Sequence, residues 1–239
     1  MRVEADNAYV LHKRPYRETS LLLDVFSYSN GRVGLIARGA RRQKTGQSVL
    51  LQPLRRLSMS WSARGELGIM TSVEPDGMIA DFNTGAMIAG FYVNELIVRL
   101  LHRHEAHPEL FAAYETIVNI LGNEHEQQKE LRYFEVSLLE AIGFGLVLDH
   151  DVLSGKPLQP DMLYQYVTER GPSAEAELAG NYVRVHGSTL LELGARSVST
   201  EGDLREAKQL LRQEIECHLG GRPLASRALY QAYLRNRIR

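Results

Sequence analysis

Apolar and polar positions divide this chain into two regimes. In the first, apolar runs are short and alternate. Tyr9-Val10-Leu11 ends near Pro15, and Ser20 to Phe26 is too short for an ordinary helix. Ser29-Asn30-Gly31 closes that run with a hairpin signal, because both Asn and Gly accept positive φ, and Arg32 to Arg38 returns as a strand. Leu57, Met59 and Trp61 alternate with serines, Ala63-Arg64-Gly65 turns the chain, and Leu67, Ile69, Thr71 and Val73 alternate again. Five short strands in such a length predict a small barrel of the OB type.

After Glu74-Pro75-Asp76-Gly77 the period becomes helical. Thr84 is the expected cap of a helix bearing Ile88, Phe91, Tyr92, Leu96 and Leu100. A second helix is predicted from Pro108 to Leu121, and a third from Gln127 to Ile142 with Leu131, Phe134, Leu138 and Leu139 inward. Between Asp149 and Gly187 the chain is irregular, although Leu163–Val167 and Tyr182–Val185 can pair as a hairpin. Thr200 with Asp203 predicts a capped helix to His218, stopped by Gly220-Gly221, and Ser226 is the expected cap of a last helix through Arg235. The fold class expected is α+β: a five-stranded barrel over residues 1–80, then a mainly helical domain over 81–239 with a small hairpin insertion at about 149–187.

Charge adds an asymmetry that the formal net charge of −1 conceals. Up to Ala80 there are 12 Lys/Arg against 7 Asp/Glu, and the remainder carries 16 against 22. A basic β-module before an acidic helical part suggests an acidic partner for the first alone. Arg38, Arg41, Arg42 and Lys44 crowd one loop after a strand, where clustered cations suit a phosphate backbone through counterion release. That loop is not a nucleotide-binding P-loop: Gln43 stands where a glycine must precede the lysine. Lys13, Arg14, Arg17, Arg32, Arg55 and Arg56 add further cations, and Tyr16 is a candidate stacking platform, whereas Trp61 fits the barrel core. His102, His104 and His107 lack the spacing of a helical metal pair, so they read as a polar helix end. No nucleophile elbow occurs, and the single cysteine, Cys217, reads as a buried thiol on an amphipathic helix. Neither catalytic residues, nor a metal, nor a cofactor is expected. The first residues lack a signal-like apolar region and no apolar run approaches a membrane span, so a cytoplasmic, nucleoid-associated protein is expected. The competing expectation is a protein–protein adaptor whose barrel binds peptides without touching DNA.

Several segments resemble the RecO family of bacterial recombination-repair proteins. They are Tyr9–His12 with Arg14–Ser20, Leu22–Phe26 with Gly31-Arg32-Val33 and Ala37–Arg41, Leu51–Leu54, Gly90–Leu96, and Leu219–Leu224 with Ser226-Arg227. The resemblance implies an N-terminal OB domain and a helical C-terminal domain. It also implies binding of single- and double-stranded DNA, annealing of complementary strands, and work with RecR to replace SSB by RecA without ATP hydrolysis. Some members carry a four-cysteine zinc motif in the helical domain. The corresponding region here, about 149–187, has no cysteine, so the hairpin is expected to hold by packing alone. The family also docks the acidic C-terminal tail of SSB, a site that needs a cation beside an apolar pocket. Arg132, within Leu131–Glu135, is the first candidate, with Lys208 and Arg212 one helical turn apart as weaker ones.

Overall fold

The structure is a computed structural model and describes residues 1–42, 47–77, 82–122, 124–174 and 180–237. By contacts these form two compact units, Met1–Gly122 with Leu224–Arg239, and Asn123–Pro223. The first unit is built on strands β1 (Arg2–Tyr16), β2 (Ser20–Ser27), β3 (Gly31–Ala37), β4 (Arg56–Ala63) and β5 (Leu67–Pro75). The helices of the chain are α1 (Gln47–Leu50), α2 (Thr84–Leu100), α3 (Pro108–Ile120), α4 (Glu124–Ala141), α5 (Gly187–Gly194), α6 (Glu201–His218) and α7 (Ala225–Arg237).

The five strands close as β1-β2-β3-β5-β4, with β3–β5 the one parallel pair and β1–β4 the antiparallel closure. Val10, Leu21, Leu23, Val25, Val33, Leu35, Leu57, Met59, Trp61 and Met70 fill the interior. Trp61 is 2% exposed, so it belongs to the core as its alternation predicts. β1 is far longer than its apolar run. Register shifts between Val3 and Asp6 and between Val10 and His12 bend it, so that it pairs with β4 along one part and β2 along another. Bulges of this kind break the period of two, which hides the strand from pattern reading. The hairpin expected at Ser29-Asn30-Gly31 forms, but only Gly31 takes positive φ (62°); Asn30 does not, and residues 28–30 make the loop between the paired Ser27 and Gly31. A Cβ on Gly31 would lie 1.7 Å from the Glu105 carbonyl oxygen, so only glycine fits. The turn is tied to β1 by Asp6, whose carboxylate accepts from the Ser27 hydroxyl, the Ser29 hydroxyl (3.0 Å) and Asn30 Nδ2 (2.9 Å).

Tyr9 and Phe26 face each other across β1–β2 and point away from the barrel interior. They meet Phe111 and Tyr114 of α3, with ring centroids 4.9 Å apart for Tyr9–Tyr114 and 5.3 Å for Phe26–Phe111. Asn94 of α2, 3% exposed, donates to the Leu11 carbonyl at 3.1 Å and accepts from the Tyr114 hydroxyl at 2.7 Å. The cap of α2 is Asn83 rather than Thr84: its side chain accepts from the Ala86 N–H at 2.9 Å, which places Thr84 inside the first turn. Ser226 does not cap α7 either. Glu95 of α2 does so instead, accepting from the Ala225 and Ser226 N–H groups at 2.9 Å and from the Ser226 hydroxyl at 2.7 Å. Burial alone would raise the Glu95 carboxyl, but those hydrogen bonds and Arg99 at 3.0 Å outweigh it and hold it below its ordinary value.

In the second unit, β6 (Leu163–Val167) pairs with β8 (Tyr182–His186) as the sequence predicts, and β7 (Gly171–Ser173) adds a third strand in the order β7-β6-β8. Leu131, Phe134, Leu138 and Leu139 of α4 are buried, as are Leu210, Leu211 and Ile215 of α6. Thr200 caps α6, accepting from the Asp203 N–H at 3.1 Å, and Asp203 also accepts from Thr189 of α5 at 2.7 Å. Two expectations are corrected. Cys217 is exposed, lying off the buried stripe of α6, with its thiol 3.7 Å from Glu169. The sheet is also held by more than packing. Asp151, 5% exposed, accepts from the Leu153 and Ser154 N–H groups through Oδ1 (2.9 and 2.8 Å) and from Ala174 N–H through Oδ2 (2.7 Å). One carboxylate thereby joins two loops of this segment.

Burial would raise the Asp151 carboxyl, but these backbone donors hold it below its ordinary value. Its stabilisation is therefore complete above the unfolded value of about 3.9 and is lost as pH falls from there through the lower folded value. Asp151→Ala should cost about 1–3 kcal/mol, since it removes the carboxylate acceptor of three part-buried N–H groups, and Asp151→Asn should flatten the acid limb of stability measured by urea unfolding. Glu95→Ala removes the cap of α7, and amide exchange across Ala225–Arg237 should accelerate roughly tenfold.

Candidate nucleic-acid interface

Side chains alternate along β1–β2–β3, so filling the interior with one set commits the other to the outside. Leu21, Leu23, Val33, Leu35 and Ala37 are interior. Their neighbours His12, Arg14 and Tyr16 on β1, Ser20, Leu22 and Asp24 on β2, and Gly34 and Ile36 on β3 share the outer face through the pairs His12↔Asp24, Arg14↔Leu22, Tyr16↔Ser20, Asp24↔Gly34 and Leu22↔Ile36. β5 continues that face through Gly34↔Leu67 and Ile36↔Ile69.

Two clefts open on it. The larger, about 440 Å³, is lined by Tyr16, Arg17, Thr19, Ile36, Arg38 and Arg42 among others. Arg17, at φ 53° in the β1–β2 turn, sets its guanidinium 5.3 Å from the Tyr16 ring centroid. Arg14, Arg17, Arg38 and Arg42 are all exposed. The smaller cleft, about 220 Å³, is lined by His12, Arg14, Leu22, Asp24, Leu67 and Arg103 with neighbouring residues.

The cations singled out in the sequence separate by what they touch. Arg14, Arg17, Arg38 and Arg42, with Tyr16, line these clefts. Arg32 is turned inward: Nε meets Asp24 at 3.2 Å and Nη1 donates to the Leu101 carbonyl at 3.2 Å. Arg56 bridges Asp76 (2.7 Å) and Glu115 (2.6 Å). Arg41 donates to the Arg17 and Glu18 carbonyls at 3.4 and 3.2 Å, which staples the β1–β2 turn. Lys13 pairs with interior Leu23 rather than joining the outer set, and its ammonium donates to the Ser48 carbonyl at 3.3 Å. Burial pushes that ammonium below its ordinary value. Arg55 is half-buried, with its Nε unpaired. Lys44 lies outside the described residues. Arg103 was not visible as a candidate in the sequence, because its place on this face depends on a loop packed against β3.

In the second unit, Arg132, Lys208 and Arg212 come together. Arg132 is 5% exposed and pairs through Nη1 with Glu135 at 2.9 Å, while Arg212 meets Glu216 at 2.9 Å. Burial, then the nearby charges of Arg132 and Arg212, push the Lys208 ammonium down, with Glu135 opposing. Among the described residues, no group of three or more His, Cys, Asp or Glu can hold a metal ion, and no helix is long and apolar enough to cross a membrane.

Known proteins match over nearly the whole chain. The family model described as "Recombination protein O N terminal" covers residues 1–77 and "Recombination protein O C terminal" covers residues 82–228. A DNA repair protein RecO of Methylococcus capsulatus is 45% identical over 231 residues, 97% of this chain and 94% of that one. Those of Nitrosococcus oceani and Alkalilimnicola ehrlichii are 41% and 42% identical, over 97% and 98% of this chain and 94% and 93% of theirs. With two domain models in order along a closed barrel and the helices that follow it, the chain belongs to the RecO family of DNA repair proteins.

Proposed function

We propose that the protein is a non-enzymatic DNA-binding factor of recombinational repair, which binds single- and double-stranded DNA through the outer face of β1–β2–β3. The observation that carries this reading is the set of exposed guanidinium groups, Arg14, Arg17, Arg38 and Arg42, around two clefts of one sheet face. Arginine forks bind phosphate oxygens in pairs, and each neutralised phosphate releases counterions whatever the base. The Tyr16 ring adds a stacking surface that every base accepts. Such a face holds a strand by its backbone and leaves base edges free, and by screening two backbones together it lets complementary strands meet. Annealing, and the exchange of SSB for RecA with RecR, follow as the biological reading.

The second unit supplies the partner site in this reading. Lys208 and Arg212 offer the cations for the acidic C-terminal tail of SSB, while Arg132, buried and paired with Glu135, adds its nearby positive charge to theirs.

DNA affinity should fall steeply with salt. About four phosphate contacts on a single strand give a slope of log K against log salt near −3, whereas a flat profile removes the electrostatic account. Arg38→Ala with Arg42→Ala should weaken binding about tenfold or more with an unchanged melting temperature, read by fluorescence anisotropy and thermal denaturation. Lys208→Ala with Arg212→Ala should weaken an SSB-tail peptide about tenfold without altering DNA affinity. Because burial and the neighbouring guanidinium charges hold the Lys208 proton less tightly than usual, peptide affinity should decline with rising pH before the ordinary lysine value of about 10.4 is reached, and it should not do so in that variant.

A further inference from the structure

The loop between α2 and α3 is fastened to an open edge of the barrel. β3 pairs with β5 only at Gly34–Ile36, which leaves its first residues without a β5 partner. There Arg32 and Arg103 form an isolated parallel bridge, and the His104 N–H donates to the Arg32 carbonyl at 3.0 Å. His104 adopts φ 65° as the chain turns away. The loop thus acts as a one-residue extension of the sheet, and it delivers the Arg103 side chain to the outer face.

Arg103 sits directly over Gly34, where a Cβ would lie 2.5 Å from its Nη1 and 2.7 Å from Leu67 Cδ2. Its Nη2 meets Asp24 Oδ1 at 2.6 Å, on the same oxygen that Arg32 contacts at 3.2 Å. Arg14 lines the cleft beside them. Two guanidinium groups, Arg14 and Arg103, line the cleft against the single Asp24 carboxylate, which Arg32 also contacts, so the cleft carries surplus positive charge. The Asp24–Arg103 pair is also half-open to solvent, so exchanging its carboxylate for another anion costs little. Asp24 would still be paired with Arg32 after that exchange, and no buried charge would be stranded.

We propose that this smaller cleft is a backbone subsite for one nucleotide of a bound single strand, with Arg103 and Arg14 on its phosphate and Leu22 and Leu67 against its sugar or base. The proposal rests on the reading that the barrel face binds DNA, and it makes a residue outside the barrel part of that grip. A nucleic-acid strand is favoured over an acidic peptide because the cleft shares its sheet face with the cleft of Tyr16, Arg17 and Arg38. Arg14 and Tyr16, two residues apart on β1, stand roughly 7 Å from each other along the face. One extended strand can therefore cross both clefts. Gly34 acts as a positioning residue, since only its missing side chain lets Arg103 lie where it does.

The experiment measures binding of a fluorescent oligothymidylate to the full-length protein across a salt series. Arg103→Ala should weaken binding about three- to tenfold at moderate salt and reduce the magnitude of the salt slope by about 0.7, the value for one lost phosphate contact on a single strand. Arg103→Lys should keep the slope. Asp24→Asn should tighten binding, and adding Arg103→Ala to it should abolish that gain. Leu67→Glu places a carboxylate in the cleft without touching the loop and should weaken binding as much, which keeps the test decisive if Arg103→Ala does not fold. Wild-type affinity and slope in Arg103→Ala and Leu67→Glu, with Arg38→Ala/Arg42→Ala impaired, overturn this subsite and leave the barrel reading standing. If all of these variants bind normally, the barrel reading itself fails. Undiminished binding in Asp24→Asn/Arg103→Ala relative to Asp24→Asn reduces Arg103 to a shield for Asp24 and overturns the proposal. So does loss of acidic-peptide binding with DNA binding unchanged.

Discussion

Asn94 is the polar group on which the first unit turns. Its amide is almost wholly buried, so both ends must be satisfied within the protein, and they reach a carbonyl of β1 and a hydroxyl of α3. α2 and α3 are thereby fixed to the barrel by a directional contact as well as by apolar area. Around it the four rings of Tyr9, Phe26, Phe111 and Tyr114 pack at tilted and edge-to-face angles, which adds attraction beyond simple burial. β1–β2 is consequently a two-sided ribbon: near Tyr9 and Phe26 its outer surface is covered by helices, and along His12 and Arg14 it is exposed. The candidate DNA face is what the helices leave uncovered.

Local signals made much of this legible. The hairpin closing at Gly31, the Leu57–Trp61 alternation and the helical stripe of α4 are written within a few residues and form as the sequence implies. What escaped depends on partners far away in the chain. A carboxylate on α2 caps α7, so Ser226 looked like a cap when it is a donor. The Asp151 clasp reads as an ordinary loop aspartate until Ala174 is seen beside it. Cys217 misled because Glu214 occupies a buried position of α6, which blurs the apolar stripe and hides that 217 lies off it.

The cations make the same point in electrostatic terms. Counting Lys and Arg located the basic module, but a count does not distinguish a guanidinium held by a carboxylate from one facing water. Asp24, Asp76 and Glu115 hold Arg32 and Arg56, while Arg14, Arg17 and Arg38 remain on the open face. The sequence therefore showed which module is basic, and the fold shows which part of its charge serves cohesion.

The capping of α7 by Glu95 has a consequence for assembly. The residues that complete the first unit are separated from Gly122 by the whole of Asn123–Pro223, so the second unit is an insertion within the first. Docking α7 onto α2 from an unstructured intervening chain would mean closing a very long loop, with its entropic cost. If the insertion folds first, that loop collapses to a compact body and closure becomes far easier. Glu95 and the start of α7 thus form a latch whose closure is cheap only once the inserted segment is compact.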